Sequence, residues 1–295
     1  MRKLWKRRTA GDAAFSVVTY VFILLVLLVT LYPFLYIISS SISDAGAVAR
    51  AEVWLLPKGP LNVDAYQRVL SDPMLLTSYG NTLWYVAVGT IVNLVMTTTL
   101  AYPLARTGFK GKRVLMMGIV FTMYFSGGMV PGYILVKNLG LIDNRWALII
   151  PVAISTYNLI VTRSFFEGIP DTIHEAATID GAGEFRIFSQ IILPLSKPIL
   201  ATMVLFYAVS HWNSYFNAML YLNKEEFYPL QLFLRRILIQ YEASEMMTDV
   251  MNNRDSVSMT IRYAAIVIST LPIMCVYPFL QKYFVKGVMV GAIKG

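Results

Sequence analysis

Six stretches of the chain contain no Asp, Glu, Lys or Arg, and this feature limits the possible folds more than any other. The stretches are residues 13–43, 73–105, 114–136, 146–162, 198–223 and 263–281. A helix needs about 20 apolar residues to cross the ~30 Å hydrocarbon core of a bilayer, and the fourth stretch is at the short limit. A buried helix of a soluble protein could explain one stretch, but not six in 295 residues. We therefore predict an all-α, polytopic membrane protein with six transmembrane helices.

The composition and the N-terminus agree with this prediction. The chain is 57% hydrophobic and 14% charged, whereas soluble domains are about 45–50% apolar and about 25% charged. The basic segment 1–8 followed by an apolar run resembles a signal peptide. The apolar run, residues 15–38, is longer than the roughly 7–15 residues of a signal-peptide core. We interpret it as a retained first span.

The distribution of Lys and Arg predicts the orientation of the chain in the membrane. If the chain starts inside, the inner segments are 1–12, 106–113, 163–197 and 282–295, and the outer segments are 44–72, 137–145 and 224–262. The inner segments carry 15 of the 25 basic residues and the outer segments carry 10. Both termini are therefore expected in the cytoplasm, and the net charge of +8 reflects topology and lipid headgroups, with no nucleic-acid partner.

These segments give the expected organisation. It consists of a cytoplasmic N-terminus (1–12), a first helix (13–43), an external loop (44–72), a core of five transmembrane helices (73–281) with a cytoplasmic loop (163–197) and an external loop (224–262), and a cytoplasmic tail (282–295). Aromatic residues among the charges of the external loops suit either a protein-docking surface or loops resting on headgroups; these are Trp54, Tyr66, Phe227 and Tyr228. The single cysteine, Cys275, lies in the last stretch, is expected to be buried, and excludes an intrachain disulfide.

The segment HEAATIDGAG, residues 174–183, begins like the helix of a zinc protease but does not complete it. Such a helix needs two histidines four residues apart, and Thr178 occupies the second position. We predict no metal site. Thr172 and Glu175 instead fit a capping box at the start of a helix, and Gly181 and Gly183 are predicted to end it.

The cytoplasmic loop 163–197 is thus predicted to hold two short amphipathic helices. In the first helix one face combines Ile173 with small and acidic residues, Ala176, Ala177 and Asp180, and would let another surface approach closely. A second helix runs from Glu184 to Pro194, with Phe185, Phe188 and Ile192 on one side. The alternative is a pair of helices lying on lipid, but the acidic residues favour a protein partner.

The pattern Glu-Ala-Ala, then Gly, then Ile-x-Leu-Pro in this loop resembles the EAA motif of ABC importer permeases. The full segment reads EAATIDGAGEFRIFSQIILPLSKP, residues 175–198. By this resemblance the residues that contact the ATPase are Glu175, Ala176, Ala177, Asp180, Gly181, Ile191, Leu193 and Pro194. The segments GGMVPGYILVKNLGLIDNRWALIIP (127–151) and HWNSY (211–215) are similar to carbohydrate-uptake permeases, especially those for oligosaccharides such as alginate or pectin fragments.

The resemblance implies a type I ABC importer permease fold and a non-catalytic role. The partners implied are an ABC ATPase dimer that binds ATP and Mg, a second permease subunit, a solute-binding protein and membrane lipid. The chain lacks a phosphate-binding G-x-x-x-x-G-K-[ST] motif, since Lys112 is followed by Arg113 without the required spacing, and no cofactor is expected on it. The tail 283–295 resembles the ending of the shorter maltose-importer subunit, so Lys294 and Gly295 either contact the ATPase or belong to a lipid anchor.

The fifth stretch carries polar and aromatic residues near one helical face: Tyr207, Ser210, His211, Ser214 and Asn217. They either line a sugar path, together with Tyr124 in the third stretch, or serve as hydrogen-bond partners between helices. A permease for another solute class is the nearest alternative function. A transporter driven by an ion gradient is disfavoured because His211 is the only ionisable His, Asp, Glu, Lys or Arg within the six stretches.

Overall fold

A computed structural model describes residues 10–248 and 259–275, and every regular element in these ranges is helical. The α-helices are α1 (Ala10–Ser41), α2 (Ala45–Ala49), α3 (Asp64–Leu70), α4 (Pro73–Ala105), α5 (Lys112–Tyr124), α6 (Met129–Asn138), α7 (Thr156–Glu167), α8 (Asp171–Ile179), α9 (Glu184–Ile187), α10 (Leu193–Leu195), α11 (Lys197–Trp212), α12 (Phe216–Tyr221), α13 (Leu230–Thr248) and α14 (Met259–Cys275). Short 3₁₀-helices span Arg145–Leu148, Ile150–Val152 and Glu225–Phe227, and a π-helix spans Phe188–Ile192. The prediction of a helical fold is confirmed.

Two of the six predicted spans are single unbroken helices. α1 and α4 are apolar and long enough to cross a membrane, over Ala14–Ser41 and Pro73–Ala105. The start of α4 follows from its sequence, because Pro73 occupies the first turn and the Asp72 carboxylate accepts a hydrogen bond from the Met74 N–H at 2.8 Å.

The count of six transmembrane helices is not confirmed, because three other stretches are not single helices. Residues 114–136 form α5 and α6, which are bent by 115°. Residues 146–162 form a 3₁₀ segment and α7, bent by 51°, and Pro151 lies in the 3₁₀ segment. Residues 198–223 form α11 and α12, separated at Asn213, and α11 itself meets the preceding helical segment at 81°. An absence of charge shows that a segment tolerates lipid, but it carries no information on where the helix breaks.

The chain divides into two compact units, and each is described by itself. The first draws on Met1–Ser71 and Ile237–Thr270. Its apolar cluster joins residues near α2 to Met259 and Tyr263 of α14. Tyr263 also meets Tyr36 of α1 edge to face, with ring centroids 5.7 Å apart. Cys275, at the end of α14, is exposed, which corrects the expectation of a buried thiol.

The second unit draws on Asp72–Arg236 and Leu271–Gly295, and α4 is at its centre. α7 and α11 pack most extensively against α4. Buried residues recur along α4 every three or four positions, as expected for one face of a helix, and many are polar: Ser78, Asn81, Thr82, Thr90, Asn93, Thr97 and Thr98. This helix therefore carries both the apolar and the polar core of the unit.

Candidate functional site

The HEAATIDGAG segment forms α8, but its start differs from the predicted capping box. The helix begins at Asp171, with Pro170 in the cap position and no side-chain cap hydrogen bond. Thr172 is exposed in the first turn. Pro170 fixes an extended backbone before the helix, and Asp171 places a carboxylate at the positive end of the helix dipole. The prediction of a Thr172 cap is wrong.

The end of α8 confirms the structural role predicted for Gly181. Gly181 has φ +80°, a left-handed conformation that glycine adopts at low cost. The Ala182 N–H donates to the Ala177 carbonyl at 3.0 Å and closes the turn. Gly183 does not end α8 as predicted, since its φ is −73° and it occupies the cap position of α9.

The second helix of the loop does not stop at Pro194. Helical conformation continues from α9 through the π-helix into α10 and breaks at Ser196. Pro194 lacks an N–H, and the wider hydrogen-bonded turn of the π-helix just before it accommodates the missing donor. The predicted apolar face of this helix is correct for two of its three residues. Phe188 and Ile192 are buried together with Ile187, whereas Phe185 is 81% exposed.

The loop presents a different surface from the one predicted. Ala177 is buried against Ala101, Leu104 and Ile187, so this alanine packs within the chain itself. Several other residues of the loop are exposed: Glu175, Ala176, Asp180 and two apolar residues, Ile179 at 86% and Phe185 at 81%. Within the described chain the Glu175 carboxylate has no hydrogen bond or ion pair. Of the remaining motif residues, Pro194 is exposed and Ile191 and Leu193 are half-buried.

Acidic residues at the start of α8 and of α9 hold this loop against the end of α4. The Tyr102 hydroxyl donates to Oε2 of Glu184 at 2.6 Å, and His174 Nε2 lies 3.0 Å from Oε1 of the same carboxylate. The hydrogen bond from Tyr102 lowers the pKa of Glu184. Arg106, just after α4, pairs with Asp171 at 3.2 Å. The sequence does not indicate the contacts of Tyr102 and Arg106, because these residues are 82 and 65 positions away from their partners in the loop.

A neighbouring ion-pair cluster joins the ends of α4, α5 and α7. Glu167 accepts from Lys112 at 2.9 Å and from Arg163 at 2.5 Å. Arg163 also donates to the Leu104 carbonyl at 3.0 Å. A cavity of about 160 Å³ lies between this cluster and α8. No group of three or more metal-binding side chains occurs in residues 10–248 and 259–275.

Two of the three α11 residues proposed to face a sugar, Tyr207 and His211, are instead hydrogen-bonded to α4. Tyr207 and His211 are each 4% exposed. The Tyr207 hydroxyl lies 2.7 Å from Thr97 Oγ1 and accepts from the Ser155 N–H at 3.4 Å. His211 Nε2 lies 2.7 Å from Oδ1 of Asn93. This geometry favours the packing interpretation of both residues over direct sugar contact.

The other residues of the proposed sugar path do not share one helical face with Tyr207 and His211. Ser214 and Asn217 follow the end of α11 at Asn213 and are half-buried. Ser210 is exposed on α11, and Tyr124 is exposed at the end of α5. The six residues therefore differ in burial and are spread over α11, the segment after it and the end of α5.

The polar face of α4 was also missed by sequence analysis. Asn81 donates to the carbonyls of Glu226 and Tyr228 at 2.7 and 3.1 Å, and Asn93 donates to those of Val152 and Ala153 at 2.7 and 2.9 Å. These bonds satisfy carbonyls of irregular segments that would otherwise be unpaired in an apolar environment. The signal in the sequence was the presence of asparagines in an otherwise apolar stretch, because such residues form hydrogen bonds between membrane helices.

The loop aromatics that suggested a docking surface differ in environment. The Tyr66 hydroxyl lies 2.7 Å from Ser41 Oγ, and Phe227 and Tyr228 pack against a buried cluster of the second unit. Trp54 alone of the four is exposed. Tyr66, Phe227 and Tyr228 therefore make contacts within the chain itself.

These features define a class of protein: a helical membrane protein with a short exposed helix, α8, held at the end of the long helix α4. The chain belongs to the family of binding-protein-dependent transport system inner membrane components, whose family model matches residues 98–290. Family membership confirms the prediction of a non-catalytic membrane subunit of a transport system and is inconsistent with a secondary transporter driven by an ion gradient.

Individual relatives match over almost the full chain. Protein LplC of Bacillus subtilis (strain 168) is 44% identical over 287 residues, which cover 97% of each chain. The polygalacturonan/rhamnogalacturonan transport system permease protein YtcP of the same organism is 39% identical over 282 residues, 95% of this chain and 98% of YtcP. A crystal structure of a bacterial ABC transporter involved in the import of the acidic polysaccharide alginate contains a chain that is 38% identical, with a TM-score of 0.83 and coverage of 96% of this chain and 100% of that chain.

Proposed function

We propose that the chain is a permease subunit of an ATP-driven importer that moves an oligosaccharide into the cell by alternating access. Relatives named for polygalacturonan/rhamnogalacturonan and maltodextrin transport support this substrate class. The chain would act with an ABC ATPase dimer that binds ATP and Mg, a second permease subunit and an extracytoplasmic solute-binding protein. The alternative function is a permease for a solute of another class.

The observation that carries the proposal is the exposed surface of the loop 163–197. Glu175 is an unpaired carboxylate on a helix of the predicted cytoplasmic side, and Ile179 and Phe185 place large apolar side chains beside it. A charged residue next to exposed apolar ones is the pattern of a protein-binding site, because apolar burial contributes affinity and the charge contributes specificity. We assign this surface to the ATPase. Ala176, Asp180 and Gly181 complete its contact region and its end. Ile191 and Leu193 pack against the apolar cluster that contains Ala177, and Pro194 follows them in the loop.

The proposed topology keeps both termini in the cytoplasm and six crossings of the membrane. α1 and α4 would cross as single helices, and the bent pairs around residues 114–136, 146–162 and 198–223 as broken spans. The sixth crossing, residues 263–281, begins in α14 and ends outside the described residues. Labelling of single cysteines in a Cys275→Ser background tests this arrangement. A cysteine replacing Gln240 should react with an impermeant reagent on intact cells and one replacing Asp180 should not; the opposite pattern would reject the topology.

Purification of the complex through a tag on this chain tests the function. Native mass spectrometry should find two ATPase subunits and a second permease, and liposomes containing the complex should take up an oligosaccharide only with binding protein and ATP. Uptake without ATP, or a complex that contains no ATPase, would reject the proposal. Lys294 and Gly295 lie outside the described residues; deleting residues 291–295 should weaken ATP hydrolysis if the tail contacts the ATPase and leave it unchanged if it anchors to lipid.

A further inference from the structure

The last turn of α4 and the residue that follows it contact both helices of the cytoplasmic loop through two side chains four residues apart. Tyr102 contacts Glu184 at the start of α9, and Arg106 contacts Asp171 at the start of α8. Residues at i and i+4 lie on the same side of a helix. One side of the end of α4 therefore holds the N-termini of both loop helices.

The charges at these contacts also complement the helix dipoles. Asp171 and Glu184 lie in the first turns of α8 and α9, where a negative charge is stabilised, and Arg106 follows the C-terminus of α4, where a positive charge is stabilised. His174 joins the two loop helices to each other through the same Glu184 carboxylate. The Tyr102–Glu184 and Arg106–Asp171 contacts therefore connect the ends of three helices, α4, α8 and α9.

Apolar packing alone does not fix the position of α8. Ala177 is the only fully buried residue of α8, all of whose residues are described. The cavity of about 160 Å³ that lies next to it is lined by Tyr102, Arg106, Asp171 and His174. Because this cavity between α8 and the end of α4 is not filled by side chains, α8 has room to rotate about Ala177. The two polar contacts restrain such a rotation at separate points, so that either one still limits it when the other is lost.

We propose that Tyr102 and Arg106 are positioning residues that clamp the docking loop to α4, so that a movement of α8 is transmitted to α4. The proposal rests on the proposed ATPase docking at α8. It assigns the receiving element, α4, whose buried polar face in turn contacts α7 and α11. Neither residue lies on the exposed surface offered to the ATPase.

The test compares Tyr102→Phe/Arg106→Ala with the two single variants and with Lys110→Ala. Lys110 is an exposed cation on the turn after α4 with no contact among the described residues, and serves as the matched control. Partly exposed contacts are individually weak, so each single variant should have a small effect. The double variant should retain its ATPase but transport roughly three- to tenfold fewer sugars per ATP hydrolysed, while Lys110→Ala remains at the wild-type ratio. A wild-type ratio in the double variant would overturn the proposal.

A second measurement does not depend on transport. Spin labels at positions 179 and 83, both exposed in α8 and α4, report the distance between the two helices by electron–electron double resonance in the full chain without nucleotide. The wild-type and Lys110→Ala chains should give a narrow distance distribution, and the double variant a broader one. Equal widths would overturn the clamp. If the wild-type complex fails to import sugar, the proposed function fails, whereas the distance distributions still decide whether the clamp exists.

Discussion

His211 Nε2 lies 2.7 Å from Oδ1 of Asn93, and this contact joins α11 to α4 inside the unit formed by Asp72–Arg236 and Leu271–Gly295. One helical turn further along both helices, Tyr207 meets Thr97 at 2.7 Å. Asn93 also donates to the carbonyl of Val152 at the irregular start of α7. The His211–Asn93 and Tyr207–Thr97 contacts therefore connect α11, α4 and the segment around Val152. These hydrogen bonds account for the four polar side chains without a bound sugar.

We expect His211→Ala to lower uptake through loss of stability rather than loss of sugar recognition. The substitution leaves the Asn93 oxygen buried without this partner, which costs about 1–3 kcal/mol in proteins generally and about 1 kcal/mol for bonds between membrane helices. The thermal unfolding midpoint of the purified complex should fall. The binding-protein concentration for half-maximal ATPase stimulation should remain unchanged. A change in that concentration, or in the sugar preference, without a change in unfolding would instead support direct sugar contact.

A double-mutant cycle separates the bond from general damage to the helices. Asn93→Ala and His211→Ala should together cost less than the sum of the two single changes, because the second removes a partner that is already unsatisfied. Tyr207→Phe provides the equivalent test for the Tyr207–Thr97 contact. Strict additivity of Asn93→Ala and His211→Ala would show that the two side chains do not interact.

Gly89→Ala should damage the same contact from the opposite side. A Cβ at position 89 would lie 2.4 Å from Nε2 of His211, closer than real atoms approach. The imidazole would have to move away from Asn93, so unfolding should occur at a lower temperature. Gly80→Ala on the same helix is the control, since nothing lies within 4 Å of its Cβ. There the added helix propensity, worth up to about 1 kcal/mol, should leave stability unchanged or slightly higher. Equal effects at both positions would mean that contact with His211 is irrelevant.

The fold was predictable from the sequence as far as the apolar stretches go. α1 and α4 are found where the charge-free runs place them, because length and hydropathy determine which segments can cross a bilayer. Helix breaks within the other stretches were not predictable in this way. Charge and hydropathy do not mark the break at Asn213 or the bend between α5 and α6, which ends at Gly128 with φ +88°.

The sequence motif of the loop 163–197 was recognisable, but the sequence did not show which of its side chains are exposed. Gly181 was assigned its turn from residue type, since few residues other than glycine adopt φ +80°. The exposure of Phe185 was not, because its spacing to Phe188 and Ile192 fits one helical face, and only the packing of α9 shows that Phe185 is left out of the core. The partners of Glu184 lie at positions 102 and 174, and one sequence cannot show that such distant residues meet.

The contribution of Glu184 to stability should depend on pH in one direction. Its pKa is lowered by the hydrogen bond from Tyr102, so the contribution is present above the ordinary glutamate pKa of about 4.3 and is lost as the pH falls through the lowered value. Wild type should therefore unfold at a higher temperature than Glu184→Gln at pH 7, with the difference constant down to about pH 5 and smaller below about pH 4. Tyr102→Phe should reduce the difference at pH 7. A difference that grows as the pH falls would contradict the assignment.

Gly181→Val should impair coupling between ATP hydrolysis and uptake without loss of membrane insertion. A β-branched residue disfavours φ +80°, which costs of order 1–3 kcal/mol when it is enforced. Space is not the reason, because nothing lies within 4 Å of a Cβ at this position. Gly181→Asn, which tolerates the left-handed conformation better, should retain most of the wild-type ATPase stimulation. Equal loss in both variants would indicate that the backbone conformation is not what matters.

Glu175→Lys tests the docking surface most directly. Glu175 is exposed and unpaired within the described chain, so its replacement removes no internal contact and the permease should insert and fold normally. If a base of the ATPase pairs with this carboxylate beside Ile179 and Phe185, the pair is partly desolvated. Removal of one partner of such a pair typically costs about 2–5 kcal/mol, much of it from the charge left unpaired. The variant should therefore lose the ATPase on purification or lose binding-protein-stimulated hydrolysis. Glu175→Gln should show a smaller loss, and an acidic substitution of the pairing base should restore part of the activity.

Glu226→Lys is the matched control, because Glu226 is an exposed glutamate outside the docking loop and the change in charge is the same. It should behave as wild type. Wild-type assembly and uptake in Glu175→Lys would mean that α8 is an ordinary surface helix and that the ATPase docks elsewhere.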